Sequence, residues 1–286
     1  MTIGEAMARW AEALAAAGCP EAEREALLIA AHVLGDEPGR AAARRREEMG
    51  AEAFARGEAI VARRRQREPL QYILGEAWFY GLRFACDERA LIPRPETEAL
   101  VDAVLEAVGP NAAPLIVDVG TGCGCIAIAI AVRRPGATLV ATDISRDALE
   151  LAAENAQAHG VKDRVRLVHG DLLRPVIDSD LVGLVEIVVA NLPYVAEDEW
   201  ESLAPEVRRE PREALVAGPT GAELYERLAE QLAPLPRLRW FAVELSATRG
   251  DLIRQAFDGR GFELETRRDL AGHERVLIGR RALGNQ

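Results

Sequence analysis

The sequence predicts a doubly wound α/β sheet that ends in an antiparallel hairpin and is preceded by a small helical domain. Three observations carry this expectation. Short apolar runs alternate with helical patterns from about residue 115 onward. The last two strand-like runs, 262–267 and 275–279, have no helix between them. Residues 1–68 read as helical, with Ala, Glu, Arg and Leu dominant. The 286 residues allow one large domain or a medium one plus a small one.

The elements follow in order. Gly18-Cys19-Pro20 breaks the first helix, and Pro20 suits the start of the next. Gly35 ends that second helix, whose apolar side includes Leu27, Leu28, Ala31 and Leu34. A further helix runs from about 51 to 67 and closes on Arg63-Arg64-Arg65-Gln66-Arg67, positive charge at the negative pole of the helix dipole. The run reads first as a solvated helix end, with a partner-binding patch as the alternative. From Glu68 the texture changes: Tyr72-Ile73-Leu74-Gly75 and the aromatic stretch 78–84 are β-prone and punctuated by glycine, a short hairpin joining two domains. The expected division is 1–68 helical, 69–92 hairpin linker and 93–286 catalytic. Within the last part a helix at 99–108 precedes strands at 115–119, 138–142, 165–168, 185–190 and 238–245. Helices at 126–133, 147–158, 222–232 and 251–257 interleave with them.

Composition narrows the function. Hydrophobic residues make up 49% and charged residues 28%, as in a soluble globular protein. The net charge of −11 argues against a broad nucleic-acid footprint. Lys162 is the single lysine among 35 basic residues. No targeting or membrane segment stands out, because the apolar stretch 119–132 is too short to span a bilayer. Cys19, Cys86, Cys123 and Cys125 are too few and irregular for a disulfide framework or a zinc site. The expectation is a reduced cytoplasmic protein without a metal centre.

Four sites carry chemistry. Gly120-Thr121-Gly122-Cys123-Gly124 joins the first parallel strand to its helix, where glycines admit a ligand close to the backbone and helix N–H groups face it. The spacing is GxGxG, not the GxGxxG of dinucleotide binders. Asp143 ends the second strand and can hold both hydroxyls of a ribose, with helix capping as the bland alternative. Asp171 and Leu172 follow the third strand, a polar residue for an adenine amino group and an apolar cover for the ring, with a loop Asp capping the next segment as the nearly equal alternative. Asn191-Leu192-Pro193-Tyr194 follows the fourth. A planar NH₂ needs two acceptors in the plane of its hydrogens, and the Asn191 side-chain oxygen and the Leu192 carbonyl can supply them. Pro193 holds Leu192 extended, and Tyr194 offers a flat stacking face.

The whole chain resembles the bacterial release factor glutamine methyltransferases (PrmC, also called HemK). The resemblance rests on RRRQREPLQYILGEAWF, LIPRPETEALV, DVGTGCGCIAIAIA, NLPYV, VRREPREALVAGPTG and HERVLIGR. It implies a class I S-adenosylmethionine-dependent methyltransferase fold and methylation of the glutamine side-chain amide in the GGQ tripeptide of class 1 peptide release factors. It also implies S-adenosylmethionine bound by Gly120, Thr121, Gly122, Cys123, Gly124, Asp143, Asp171, Leu172 and Asn191. The glutamine would then sit on Asn191, Leu192, Pro193 and Tyr194, and the helical domain would contact the release factor. No membrane and no stable nucleic-acid partner are expected. One departure is Leu192, where the family's usual motif is NPPY. NLPY is typical of rRNA adenine dimethyltransferases, so an N6-adenine methyltransferase is the alternative. The PRPETE segment, the N-terminal domain and the acidic charge favour glutamine.

Overall fold

The computed structural model describes residues 1–246, 248–269 and 272–281. The chain divides into two compact units, the first Met1–Glu76 with Ala204–Arg209 and the second Ala77–Leu203 with Glu210–Gln286.

The first unit is helical. Helix α1 (Ile3–Ala16) starts at a capping box: the Thr2 hydroxyl accepts from the Glu5 N–H at 3.2 Å, and the Thr2 N–H donates to the Glu5 carboxylate at 2.7 Å. Its buried face, Ile3, Met7, Trp10 and Leu14, has helical spacing and packs on α2 (Ala22–Leu34), which stops at Gly35 in the left-handed region. A short helix, α3 (Pro38–Ala43), leads to α4 (Ala51–Arg64). Gly57 of α4 lies flat against Trp10, since a Cβ there would stand 2.1 Å from the indole. The Trp10 indole N–H donates to Glu58 at 2.8 Å, and its ring stacks on Phe54.

The arginine run is a solvated helix end only in part: Arg63, Arg65 and Gln66 are exposed, and Arg64 is buried. Arg64 is 3% exposed and reaches both oxygens of Glu25, at 2.8 and 2.9 Å, and Glu206 at 3.1 Å. Arg67 also holds Glu206, and Arg63 holds Glu68. The pairing explains how 204–209 belongs to the helical unit. Burial works against the Arg64 charge, but the two carboxylates overcome it and raise its pKa. The helix itself ends at Arg64 rather than at residue 67, where the chain turns through a positive φ of 61°. The stretch expected to open the hairpin is a single helical turn, α5 (Leu70–Leu74), bracketed by Pro69 and by Gly75 in the left-handed region. Caps at both ends override the β-propensity of its side chains.

The second unit begins with the hairpin β1 (Glu76–Phe79) and β2 (Leu82–Ala85). Its turn residues Tyr80 and Gly81 both have positive φ, 52° and 73°, as a tight two-residue hairpin turn requires. A one-turn 3₁₀ segment, Pro95–Thr97, opens α6 (Glu98–Ala107). Then strand and helix alternate: β3 (Leu115–Val119), α7 (Cys125–Arg133), β4 (Thr138–Asp143), α8 (Arg146–Ala158), β5 (Val165–His169), α9 (Arg174–Ile177) and β6 (Val185–Ala190). The short pair β7 (Val195–Ala196) and β8 (Val216–Gly218) precedes α10 (Glu223–Gln231), β9 (Trp240–Glu244), α11 (Gly250–Phe257), β10 (Phe262–Arg268) and β11 (Glu274–Arg281).

The main sheet has the order β10-β11-β9-β6-β3-β4-β5, parallel except for β11, which runs antiparallel to both neighbours. The expected doubly wound sheet with its closing hairpin is therefore the observed one. Side chains alternate between the two faces. Ile116, Leu139, Ile187 and Ala242 enter one core cluster, and Val117, Val140, Val188 and Val243 enter the other. Strands buried on both faces read as apolar runs, which is why they were visible in the sequence. Strand order reverses between β3 and β6, leaving a crevice at their carboxyl ends. Among the described residues no helix is long and apolar enough to cross a membrane.

Removing Arg64 would leave Glu25, a largely covered carboxylate, without its cation. Arg64→Ala should cost about 3–5 kcal/mol in a urea titration followed by circular dichroism. Arg65→Ala should change stability by less than about 0.5 kcal/mol.

Candidate active site

The glycine loop between β3 and α7 is held from three sides. Gly120, Gly122 and Gly124 all have positive φ. At Gly120 the demand is double, because φ is 71° and a Cβ would stand 2.9 Å from the Leu192 side chain. The N–H groups of Gly120 and Thr121 both donate to the Thr142 carbonyl, at 2.9 and 3.0 Å. Asp118, wholly buried in β3, accepts from the Thr121 hydroxyl at 2.7 Å and from the Ala127 N–H at 3.2 Å. The second bond satisfies a free donor in the first turn of α7. The other Asp118 oxygen has no hydrogen-bond partner among the described residues. Burial pushes the Asp118 pKa up to about 7, against the pull of the two donors.

Asp143 closes β4. One carboxylate oxygen accepts from the Ser145 N–H at 2.9 Å, the other from the Gly122 N–H at 2.8 Å. Each oxygen retains a further acceptor position. Ser145 caps α8 itself, accepting from the Ala148 N–H, so Asp143 is not needed as the cap. Burial raises the Asp143 pKa despite these backbone donors. Beyond β5, Leu172 adopts φ 49°, a left-handed conformation that costs of the order of 1–3 kcal/mol for a residue with a Cβ. Asp171 beside it is engaged by Arg227.

The segment after β6 is braced on both of its acceptors. The Asn191 side-chain nitrogen donates to the Thr97 hydroxyl at 3.0 Å. The Leu192 carbonyl accepts from the buried Tyr225 hydroxyl at 2.9 Å. The Leu192 side chain is buried in the second core cluster, over Gly120. Glu244, the last residue of β9, is buried, and one of its oxygens has no hydrogen-bond partner among the described residues. Burial pushes its pKa up to about 7, against the opposing pull of Thr97, Arg275 and Arg94. Thr97 reaches this point because buried Glu210 accepts from the Ile92 N–H at 3.0 Å and pairs with Arg94.

One cavity of about 530 Å³ gathers Gly120, Gly122, Asp143, Asp171, Leu172, Asn191, Leu192 and Pro193. Four expected site residues lie off its wall. Thr121 turns down to Asp118, and Cys123 is in the first core cluster. The Gly124 carbonyl accepts from the Ile128 N–H, and Tyr194 packs beside the second cluster. Sequence reasoning missed Thr97, Tyr225, Arg227 and Glu244. It also missed the walls supplied by Arg89 to Leu91 and by Pro211, Glu213, Ala214, Val216 and Ala217. The segments LIPRPETE and VRREPREALVAGPTG carry Leu91, Thr97, Pro211, Glu213, Ala214, Val216 and Ala217 without a local sign of their role, and Arg89, Ala90, Tyr225, Arg227 and Glu244 lie outside both.

Residues 5–75 match the family model described as the PrmC N-terminal domain, and residues 96–219 the one described as the methyltransferase small domain. Similar proteins named release factor glutamine methyltransferase include one from Deinococcus radiodurans, 37% identical over 95% of each chain. Another, from Bacillus subtilis, is 36% identical over 96% of each. A third, from Chlorobaculum tepidum, is 45% identical over 62% of this chain and 61% of its own. Among solved structures, the hMettl16 catalytic domain in complex with MAT2A 3'UTR hairpin 1 has a TM-score of 0.59 at 16% identity, covering 79% of this chain and 82% of that one. At that identity the likeness is one of fold.

Asp118 and Glu244 are both more basic when folded than their ordinary values of 3.8 and 4.5. The native state therefore binds protons that the unfolded chain releases. Their contribution to stability is complete below about pH 4 and is lost as pH rises through about 7. Chemical denaturation between about pH 5 and 8 should show stability falling, and Asp118→Asn should flatten that slope.

Proposed function

The chain belongs to the release factor glutamine methyltransferases, and from that membership we propose that it methylates the side-chain amide nitrogen (N5) of the glutamine in the GGQ tripeptide of class 1 peptide release factors, with S-adenosylmethionine as methyl donor. One observation carries the reading: the strand-end carboxylate Asp143 and the acceptor pair of Asn191 and Leu192 border the same cavity.

The cavity suits S-adenosylmethionine. Its volume of about 530 Å³ lies within the range of small-molecule sites. Asp143 keeps an acceptor position on each oxygen, which matches a ribose diol. A side chain at Gly120 would collide with Leu192 at the cavity wall. Leu172 offers an apolar surface for the adenine, and the Asp171 carboxylate an acceptor for its amino group. When bound, S-adenosylmethionine supplies an electrophilic methyl group on a positively charged sulfur.

The chain's own part is orientation and charge. An amide nitrogen is a poor nucleophile because its lone pair is delocalised into the carbonyl. Asn191 and the Leu192 carbonyl accept its two hydrogens, hold it in place and stabilise positive charge building on nitrogen. Such placement supplies on the order of 7–11 kcal/mol for a well-oriented pair. Tyr225 uses one lone pair of the Leu192 carbonyl and leaves the second for substrate, while fixing the carbonyl's direction. No strong base is needed, since the alkylated amide is acidic enough to lose its proton to water.

The N6-adenine alternative would use the same acceptor pair on a flipped base. The names of the full-length relatives favour glutamine. We assign release-factor contact to the helical unit, in keeping with its match to the PrmC N-terminal domain. Within the Arg63–Arg67 run, Arg63, Arg64 and Arg67 pair with Glu25, Glu68 and Glu206, and Arg65 is exposed.

Two outcomes test this. Asn191→Ala should lower turnover on an intact release factor by about 2.7–4 kcal/mol in the barrier, read by mass spectrometry of the GGQ peptide. S-adenosylmethionine affinity should change little in that variant, and a near-normal turnover would sink the mechanism. By calorimetry, Asp143→Ala should weaken S-adenosylmethionine binding by about 1.5–3 kcal/mol.

A further inference from the structure

One wall of the cavity stands in a conformation that its own turn does not favour. The Asp171 carbonyl accepts from the Arg174 N–H at 3.0 Å, which makes Leu172 the second residue of a four-residue turn. Its φ is 49°, where such a turn calls for glycine or asparagine. The leucine is 8% exposed and borders the cavity. Left-handed backbone is costly for a residue with a Cβ, and it persists only where the surroundings over-determine it.

Here the surroundings are a single helix that grips the residue on either side of Leu172. From α10 the Arg227 guanidinium donates to the Asp171 carboxylate. One turn further along α10, the Gln231 side-chain oxygen accepts from the Leu173 N–H at 2.8 Å. Leu173 is fully buried, so its N–H has no water to turn to. One turn before Arg227, Leu224 borders the cavity as Arg227 does. The Arg227–Asp171 pair is itself about half exposed, and a pair of that kind adds little to stability. What it fixes is the direction of the Asp171 carboxylate.

We infer that Arg227 and Gln231 are positioning residues that lock the turn 171–174 in the shape that receives the adenine of the methyl donor. They tie Asp171 and Leu173 to α10 and so keep Leu172, between them, against the cavity. Arg227 takes one Asp171 oxygen and leaves the other to accept from the adenine amino group. The adenine wall is thus formed before the donor arrives, which spares binding the entropy of ordering a loop. This rests on the reading of the cavity as an S-adenosylmethionine site and adds the residues that give its adenine end a fixed shape.

The test uses the full chain, with S-adenosylmethionine affinity read by calorimetry and steady-state kinetics read on an intact class 1 release factor. Gln231→Leu removes the acceptor. Its Kd and KM for S-adenosylmethionine should rise about tenfold, the size of a lost hydrogen bond, with kcat at saturating donor and KM for the release factor within about threefold of wild type. Gln231→Glu keeps an acceptor oxygen at the same reach and should return the donor Kd to within about threefold of wild type. A Gln231→Leu chain that melts at a lower temperature but binds the donor within about twofold of wild type overturns the inference, because the bond then serves the fold alone. A Glu variant as impaired as the Leu variant overturns it too. Should Gln231→Leu fail to fold, Arg227→Met decides, because that side chain is half exposed and its loss leaves the core intact. A donor Kd raised about threefold or more then supports the inference, and a wild-type Kd overturns it. Absence of donor binding by wild type would instead sink the S-adenosylmethionine reading, and this inference with it.

Discussion

A fully buried carboxylate sits in strand β3, and the site is assembled around it. Asp118 holds the Thr121 hydroxyl and the Ala127 N–H, so one side chain ties strand β3 to the glycine loop and to the first turn of α7. A negative group beside a helix N-terminus is favoured by the dipole and by the donors left free there. With the loop fixed, the Gly122 N–H meets Asp143, and the end of β4 is brought into the same frame. A buried polar group is tolerable only when it is hydrogen-bonded. The geometry of the loop and the presence of Asp118 are therefore conditions of each other.

The sheet was legible because its strands are buried on both faces and read as plain apolar runs, from 115–119 to 185–190. The residues that line the cavity were legible because they follow strands at a sheet's carboxyl edge, where position alone implies contact with a ligand. What could not be read was pairing over distance. Arg64 looked like the solvated end of a helix, and its partner Glu206 lies 142 residues on. Tyr225 falls in the stretch 222–232 read as a helix, and nothing local links it to the carbonyl of Leu192, 33 residues earlier. Thr97 stands 94 residues from Asn191. The turn at Leu70–Leu74 was misread for another reason: its flanking proline and glycine cap a helical turn as readily as they punctuate a hairpin.

Leu192 is where this chain departs from the usual motif, and its surroundings give the leucine a use. Its side chain fills the space above Gly120 and joins the core under the cavity. Its backbone keeps the carbonyl that the motif provides, braced by Tyr225. Rigidity that a proline ring would have lent by covalent closure comes here from packing and from Pro193 after it. Packing of that kind depends on the glycine beneath it, so positions 120 and 192 form one unit of shape although they belong to two different motifs.

Residues 204–209 count with the helical unit although they are encoded in the middle of the catalytic part of the chain. Glu206 answers Arg64 and Arg67, which are encoded far upstream. The helical unit is therefore not a cassette with two clean ends. A chimera that borrowed residues 1–76 from a relative would acquire foreign cations and keep the resident Glu206 segment to face them. Recombination or gene fusion with this chain must thus respect a seam that is written twice, once near the start of the sequence and once past its middle.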